Sequence, residues 1–195
     1  IRTISAISGT TLTLNAPLQY AHDGARDPDG RLDFLPHIGN LSRNITIHSE
    51  NPNGTRGHTL FTQTSDVDIR YAAFPNMGRT KSDPLNSASV NANGTFNIGT
   101  NQIGRYPLHM HHAYGTCASK PYQFQMVGNA IENGLKWAMT VHDSHYGLIK
   151  DNIVYNADGA GIVTEDGSES GNVFDHNFVV RSENGKTLAS FEVFY

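Results

Sequence analysis

Short apolar segments recur along the C-terminal half of the chain at a nearly constant interval. The segment 126–133 (MVGNAIEN) aligns with 149–156 (IKDNIVYN), 23 residues later, and 174–180 (FDHNFVV) follows the second copy after 25 residues. Weaker copies lie at 69–76 and 44–47. Short strands that return every ~20 to 25 residues, with Asn and Gly at the corners, are typical of a parallel β-helix. We therefore predict an all-β fold, a parallel β-helix with coils of about 23 residues.

One position of each copy carries an asparagine, namely Asn129, Asn152 and Asn177. In a solenoid these side chains would stack at one inward corner, where their amides can bond to one another and to the backbone. We predict a structural role for this ladder.

A second set of strands lies between these copies. Residues 138–143 (AMTVHD) align with 161–166 (GIVTED), again 23 residues later, and 108–112 (LHMHH) fits the same alternation. Side chains alternate between the two faces of a strand. The pattern thus predicts inward side chains at Leu108, Met110, Met139, Val141 and Ile162, and outward ones at His109, His111, Thr140, His142, Val163 and Glu165.

Polar side chains fall at equivalent positions of successive coils. Since neighbouring coils lie about 4.8 Å apart, His111, His142 and Glu165 should form an outward column, with His109 beside His111. Two histidines separated by one residue point to the same side of a strand, which suits a metal ion. The expected ligands are His58, His109, His111 and His142. The expected cofactor is a divalent metal, zinc or a similar ion, with calcium also open.

Two chemistries are open for this column. A metal held by three histidines, with one open position, would polarise a uronate carboxylate or activate a water. Without a metal, His111 or His142 would accept a proton and Glu165 or Asp166 would donate one across a glycosidic bond. In a uronic-acid polymer, proton removal next to the carboxylate would lead to elimination. The candidate catalytic residues are His111, His142, Glu165 and Asp166.

Two insertions, 80–104 and 113–122, interrupt the repeat beside the column. Long loops at such places commonly build the walls of a binding cleft. Arg79 and Arg105, which flank the first insertion, are therefore expected to hold substrate carboxylates by forked hydrogen bonds.

Composition narrows the possible partners. The net charge of −4 gives no basic surface, which argues against nucleic acid. No apolar run approaches the length of a membrane span. The single Cys117 excludes a disulfide within the chain. N-x-S/T sequons begin at Asn40, Asn44, Asn53 and Asn93 and favour secretion.

The order of several motifs resembles that of one known family. These motifs are 104–111 (GRYPLHMH), 140–142 (TVH), 147–151 (GLIKD), 164–167 (TEDG) and 174–176 (FDH). They resemble the hyaluronan-depolymerising family of the cell-migration-inducing hyaluronan-binding protein and the transmembrane hyaluronidase. The resemblance covers most of the chain.

This resemblance implies a right-handed β-helix that follows a glycine-rich domain. Residues 1–40 would be the tail of that β domain and a connector, and 41–195 the β-helix, truncated at its C-terminal end. It also implies an extracellular or secreted protein and a polysaccharide substrate. The insertion 80–104 and the pair His111 and His112 resemble the bacterial-type branch. The chain begins at Ile1 without Met, so we expect a piece of a longer protein with neighbouring domains.

The leading interpretation is a secreted polysaccharide-cleaving enzyme, a hydrolase or a lyase, that acts on uronic-acid-containing glycans in a groove along the solenoid. The alternative is a non-catalytic carbohydrate-binding or adhesion module, because solenoid faces also bind sugar chains. A third interpretation is a structural stalk whose histidines bind metal only for stability. Metal removal would inactivate the first, barely affect the second and unfold the third.

Overall fold

The computed structural model describes residues 1–115 and 119–183, and these contain β-strands but no helix. The chain divides into two compact units, Ile1–Ile38 and Gly39–Tyr195. The first unit contains two antiparallel strand pairs, β1 (Ile4–Ser8) with β2 (Thr11–Leu14) and β3 (Ala25–Arg26) with β4 (Leu32–Phe34). Its relation to a glycine-rich domain stays a prediction.

The second unit is a solenoid of short strands. They are β5 (Ile45–Thr46), β6 (Phe61–Thr62), β7 (Val67–Arg70), β8 (Ala72–Pro75), β9 (Ser89–Val90), β10 (Phe96–Asn97), β11 (Leu108–His111), β12 (Phe124–Val127), β13 (Ala130–Glu132), β14 (Met139–His142), β15 (Gly147–Lys150), β16 (Ile153–Ala157), β17 (Ile162–Thr164), β18 (Val173–Asp175) and β19 (Phe178–Ser182).

Three parallel sheets run along this solenoid, each built from one strand per coil. Their strand orders are β17-β14-β11-β6, β18-β15-β12-β7 and β19-β16-β13-β8-β5. Every strand in these sheets pairs with the equivalent strands of adjoining coils, which is the arrangement of a parallel β-helix. The predicted fold class is confirmed. Strands β9 and β10 form a separate antiparallel pair inside the insertion 80–104.

The corners of the coils explain why the sequence is rich in asparagine. At one corner Asn76, Asn133 and Asn156 have φ angles of 55°, 59° and 61°, respectively. This left-handed conformation is unfavourable for most residues but is tolerated by Asn, whose short polar side chain bonds locally. The amide of Asn156 donates to the Asn133 side-chain oxygen at 2.7 Å. Asparagine therefore allows the same sharp corner to repeat from coil to coil.

The predicted asparagine ladder is confirmed. Asn129 and Asn152 are fully buried, and the side-chain oxygen of Asn152 accepts the backbone N–H and the amide of Asn129 at 2.9 and 3.1 Å. Asn177 accepts the equivalent two bonds from Asn152 at 3.1 and 3.0 Å. The ladder thus satisfies polar groups that the turning backbone would leave buried and unbonded.

The inward face of the first sheet forms the centre of the apolar core. The predicted inward residues Leu108, Met110, Met139 and Val141 are fully buried, and Ile162 packs against them while partly exposed. Alternation along each strand therefore sends the residues between them, including the histidines, to the opposite face of this sheet.

Candidate functional site

The pairing of β11 with β14 places His111 directly opposite His142. Glu165 follows β17 on the next coil, where its backbone N–H donates to the carbonyl oxygen of Val141 at 3.1 Å. His111, His142 and Glu165 therefore occupy successive coils in the predicted column. The fixed register of parallel strands is what brings three residues distant in sequence into contact.

The imidazole of His142 lies at the centre of the cluster. Its Nδ1 atom is 2.8 Å from Nδ1 of His111 and 3.4 Å from Oε2 of Glu165. Its Nε2 atom is 2.8 Å from Oδ2 of Asp166. The Glu165 side chain is only 2% exposed, whereas that of Asp166 is 32% exposed. Asp166 is therefore the carboxylate that a large ligand can reach.

The sequence predicts outward side chains at His109 and Thr140, but the structure buries both. The ring of Tyr106 lies edge-on to His109 at 4.9 Å and stacks on Trp137 at 5.3 Å. These aromatic residues precede strands β11 and β14 and cover part of the face that alternation alone would assign to solvent. The C-terminal ends of β11 and β14, at His111 and His142, remain partly open.

The hydrogen bond of His109 fixes its tautomer. Nδ1 lies 2.9 Å from the carbonyl oxygen of Gly104, and since a carbonyl oxygen only accepts, Nδ1 carries the proton. Nε2 then has a free lone pair. This atom is buried and has no hydrogen-bond partner in the part of the chain that the structure describes.

Burial keeps His109 and His111 neutral. Desolvation lowers the pKa of His109 to about 3, against the bond to Gly104, and neighbouring histidines lower it further. The pKa of His111 falls to about 4, first through burial and then through His112 and His142, partly opposed by Asp143 and Asp166. At neutral pH both rings therefore offer a lone pair rather than a positive charge.

The histidine cluster, defined as His109, His111 and His142, fits a divalent metal. One ring nitrogen from each lies within 4.8 Å of the others. The bond from His109 to a backbone carbonyl is the orienting contact that metal-binding imidazoles commonly make through their second nitrogen. Three nitrogen donors match zinc and similar ions better than calcium, which prefers oxygen.

His58, predicted as a fourth ligand, lies outside the group of three histidines. Strand β6 pairs with β11 so that Phe61 faces Met110 and Thr62 faces His111. His58 therefore lies three residues before the first paired position, and it is exposed. His58 still lies close enough to His109 for its charge to lower the pKa of His109, so its role as a fourth ligand stays a prediction.

Arg79 and Arg105 do not form the wall of an open cleft, as the sequence suggested. Arg79 is fully buried and donates to the side chain of Asn101 at 3.3 Å and to the Ser82 carbonyl oxygen at 3.0 Å. Arg105 is also buried and donates to Gln102 at 3.2 Å. Both guanidinium groups tie the insertion to the solenoid, so their expected exposure to substrate is corrected.

His112, Asp143 and Tyr114 lie beside the cluster, and the sequence analysis assigned none of them to the site. His112 and Asp143 follow the paired histidines at the corner of successive coils, with φ angles of 55° and 41°. The ring of His112 lies 4.1 Å from that of His111, and its Nδ1 atom is 2.7 Å from the hydroxyl of Tyr114. The repeat contained a signal for His112 and Asp143, since each directly follows one of the paired histidines His111 and His142 in sequence.

The protein is a parallel β-helix that carries a cluster of histidines and carboxylates on one of its sheets. The family model of the CEMIP beta-helix matches residues 80–193. The chain belongs to that family. No helix among the described residues is long and apolar enough to cross a membrane.

Several named relatives align with most of the chain. Fibrocystin-L of Mus musculus is 30% identical over 98% of the chain. The cell migration-inducing and hyaluronan-binding protein of Homo sapiens is 29% identical over 88%, and the cell surface hyaluronidase of Danio rerio is 28% identical over 87%. The chain spans only 5%, 12% and 12% of their respective lengths. These animal relatives do not support the bacterial-type branch. No solved structure matches the chain.

Proposed function

We propose that the chain is the β-helix of an extracellular enzyme that depolymerises uronic-acid-containing polysaccharides, hyaluronan first among them. The observation that carries the proposal is the histidine cluster with Asp166 at its open edge, 2.8 Å from His142. A relative named as a cell surface hyaluronidase supports the substrate class and the extracellular location.

Within this proposal His109, His111 and His142 hold a divalent metal such as zinc. When bound, the metal would act as a Lewis acid on a uronate carboxylate or on a water. The fit rests on the bare Nε2 atom of His109 and on the lowered pKa values of His109 and His111. A neutral imidazole binds a cation without first releasing a proton, so the site can be filled at neutral pH.

The roles of His142 and the carboxylates depend on this occupancy. If Nδ1 of His142 binds the metal, its Nε2–H donates to Asp166, and Asp166 orients the ring as a carboxylate beside a metal-bound histidine does. Glu165 and Asp166 stay the acid and base candidates, and Asp166 is the one of the two that a polymer can reach. Without metal, His142 itself accepts the proton and Asp166 stabilises the charged ring.

The test combines metal analysis with polymer cleavage. Purified chain should contain or take up one zinc-like ion and should shorten hyaluronan, and His111→Ala should lose both properties. His176→Ala is the matched control, because it removes a histidine whose side chain is 76% exposed and which lies outside the cluster. Unchanged depolymerisation by His111→Ala would reject the catalytic role. New ultraviolet absorbance from an unsaturated uronate would identify elimination rather than hydrolysis.

A non-catalytic hyaluronan-binding module is the second candidate, favoured by the name of the human relative. The two functions differ in what a chelator does. Chelation would abolish cleavage by the enzyme but leave the affinity of a binding module for hyaluronan unchanged. A structural stalk would instead unfold. Binding, cleavage and melting temperature measured with and without chelator therefore separate all three.

A further inference from the structure

Glu169 lies in the turn after β17, and its carboxylate gathers three backbone N–H groups. Its Oε1 atom accepts from the backbone of Asp143 at 3.1 Å, of Glu165 at 3.1 Å and of Asp166 at 3.0 Å. Asp143 belongs to the preceding coil, whereas Glu165 and Asp166 belong to the same turn as Glu169. One oxygen atom thus joins two coils at the edge of the histidine cluster.

These three donors surround His142. Asp143 follows it in sequence, and Glu165 and Asp166 are the two carboxylates whose side chains approach its ring at 3.4 and 2.8 Å. The backbone that carries both carboxylates is therefore fixed to the backbone that carries the imidazole. Without a common acceptor, the polar turn 165–168 would have fewer bonds to hold its position relative to β14.

The bonds also set the charge of Glu169. Burial alone would raise the pKa of this carboxyl group, but the backbone N–H donors outweigh it and lower the pKa below its usual value. The group is therefore ionised at neutral pH, when it is the strongest acceptor for several N–H groups.

The second oxygen of Glu169 has a different environment. Oε2 is buried and has no hydrogen-bond partner among the described residues. A glutamine at this position would keep an acceptor at Oε1 but would place an NH₂ group where no acceptor is available. Glutamine at position 169 should therefore keep the bonds that position the turn but lower the stability of the protein. The two effects of Glu169 can thus be separated by substitution.

We propose that Glu169 is a positioning residue that holds Asp166 and Glu165 against the imidazole of His142. The inference rests on the proposed function for its catalytic meaning, since the carboxylates act only if the site is catalytic. Glu169 acts on the ring through its bonds to the backbone of Asp143, Glu165 and Asp166.

The experiment compares Glu169→Ala and Glu169→Gln with Ser168→Ala. Ser168 donates to the side chain of Asp143 at 3.1 Å, so its removal deletes another bond between the same turn and the same coil. The readouts are the melting temperature, the ¹⁵N resonances of the His142 ring in labelled protein, and kcat and KM for hyaluronan.

For Glu169→Ala we expect displaced His142 resonances and a fall in kcat of about tenfold or more, with KM changed less than about threefold. For Glu169→Gln we expect a lower melting temperature but wild-type resonances and kcat within about threefold. Ser168→Ala should keep wild-type resonances.

Unchanged His142 resonances in folded Glu169→Ala would overturn the inference. It would also be overturned if kcat and the resonances simply followed the melting temperature across the three variants, as a purely structural role requires. If the wild-type chain cleaves no uronic-acid polymer, the proposed function fails, and the resonances alone decide the role of Glu169.

Discussion

His109 donates its Nδ1 proton to the carbonyl oxygen of Gly104 at 2.9 Å, and this bond leaves Nε2 as the nitrogen with a free lone pair. Because the proton is held on Nδ1, Nε2 keeps a bare lone pair, and His109 belongs to the group whose ligand nitrogens lie within 4.8 Å of one another. A buried nitrogen without a donor is costly unless a cation or a proton meets it. The backbone of residue 104 thus holds the ring in the tautomer that the proposed metal would require.

This arrangement predicts how metal affinity depends on each histidine. Replacement of His109, His111 or His142 by Ala should lower the affinity for zinc or cobalt by about 100-fold or more, because each supplies one of three donors. His176→Ala should bind as the wild type does. Isothermal titration and the visible spectrum of the cobalt form measure the effect. A loss in His176→Ala as large as in the other variants would contradict the three-histidine site.

The pKa of His109 predicts acid sensitivity of the metal-free protein. Its folded pKa of about 3 lies below the unfolded value of 6.5, so the unfolded chain binds the proton first as the pH falls. The stabilisation from this ring is complete above about pH 6.5 and is lost towards pH 3, at up to about 1.4 kcal/mol per pH unit.

The control for this effect is His109→Asn, whose amide can still donate to Gly104 but does not titrate. Urea unfolding of metal-free protein between pH 7 and pH 4 should show a shallower pH dependence for this variant than for the wild type. Equal slopes for the two proteins would show that His109 is not the group responsible.

The sequence predicted the repeating parts of this molecule well. The spacing of the repeat alone predicted that His111 lies over His142. A shift of the pairing by one residue would turn Met110 and Val141 out of the core, so a single register buries both. The prediction failed at His109, because the cover comes from Tyr106 and Trp137, which do not follow the alternation. Contacts that occur in a single coil cannot be inferred from the repeat of the sequence.

The same distinction explains the error at the arginines. Arg79 and Arg105 bond to partners inside the insertion 80–104, whose path has no counterpart in other coils. The bonds of Glu169 were equally hidden, because a side chain that binds backbone N–H groups leaves no pattern in the sequence.

The asparagine ladder predicts a large loss of stability at its middle position. Asn152→Ala would leave the backbone N–H and amide of Asn129 without their acceptor and the Met126 carbonyl oxygen without its donor. Each buried polar group left unbonded costs about 1–3 kcal/mol, so we expect the free energy of unfolding to fall by about 3 kcal/mol or more. Asn97→Ala, at an exposed position, should change it by less than about 0.5 kcal/mol.

Denaturant unfolding monitored by circular dichroism measures both asparagine variants. A loss in Asn152→Ala no larger than in Asn97→Ala would show that the ladder bonds are replaced by water.

The sequons predict glycosylation if the protein passes through a eukaryotic secretory pathway. All four acceptor residues are exposed, namely Asn40, Asn44, Asn53 and Asn93. Each is thus accessible to the transferase, and each Asn→Gln variant should lose the mass of one glycan. Mass spectrometry before and after enzymatic deglycosylation provides the measurement. Absence of glycan from all four sites in secreted protein would contradict this prediction.

Substitution of Arg79 distinguishes a structural role of this side chain from a role in substrate binding. Its fully buried guanidinium joins Asn101 and Ser82 to the solenoid. Arg79→Ala should therefore lower the free energy of unfolding by about 3 kcal/mol, since a fully buried side chain and its bonds to Asn101 and Ser82 are lost. In the folded fraction the KM for hyaluronan should stay within about twofold, because the side chain does not reach the surface. A stable variant with a KM raised tenfold would instead restore Arg79 to the substrate site, and would require the insertion to open when the polymer binds.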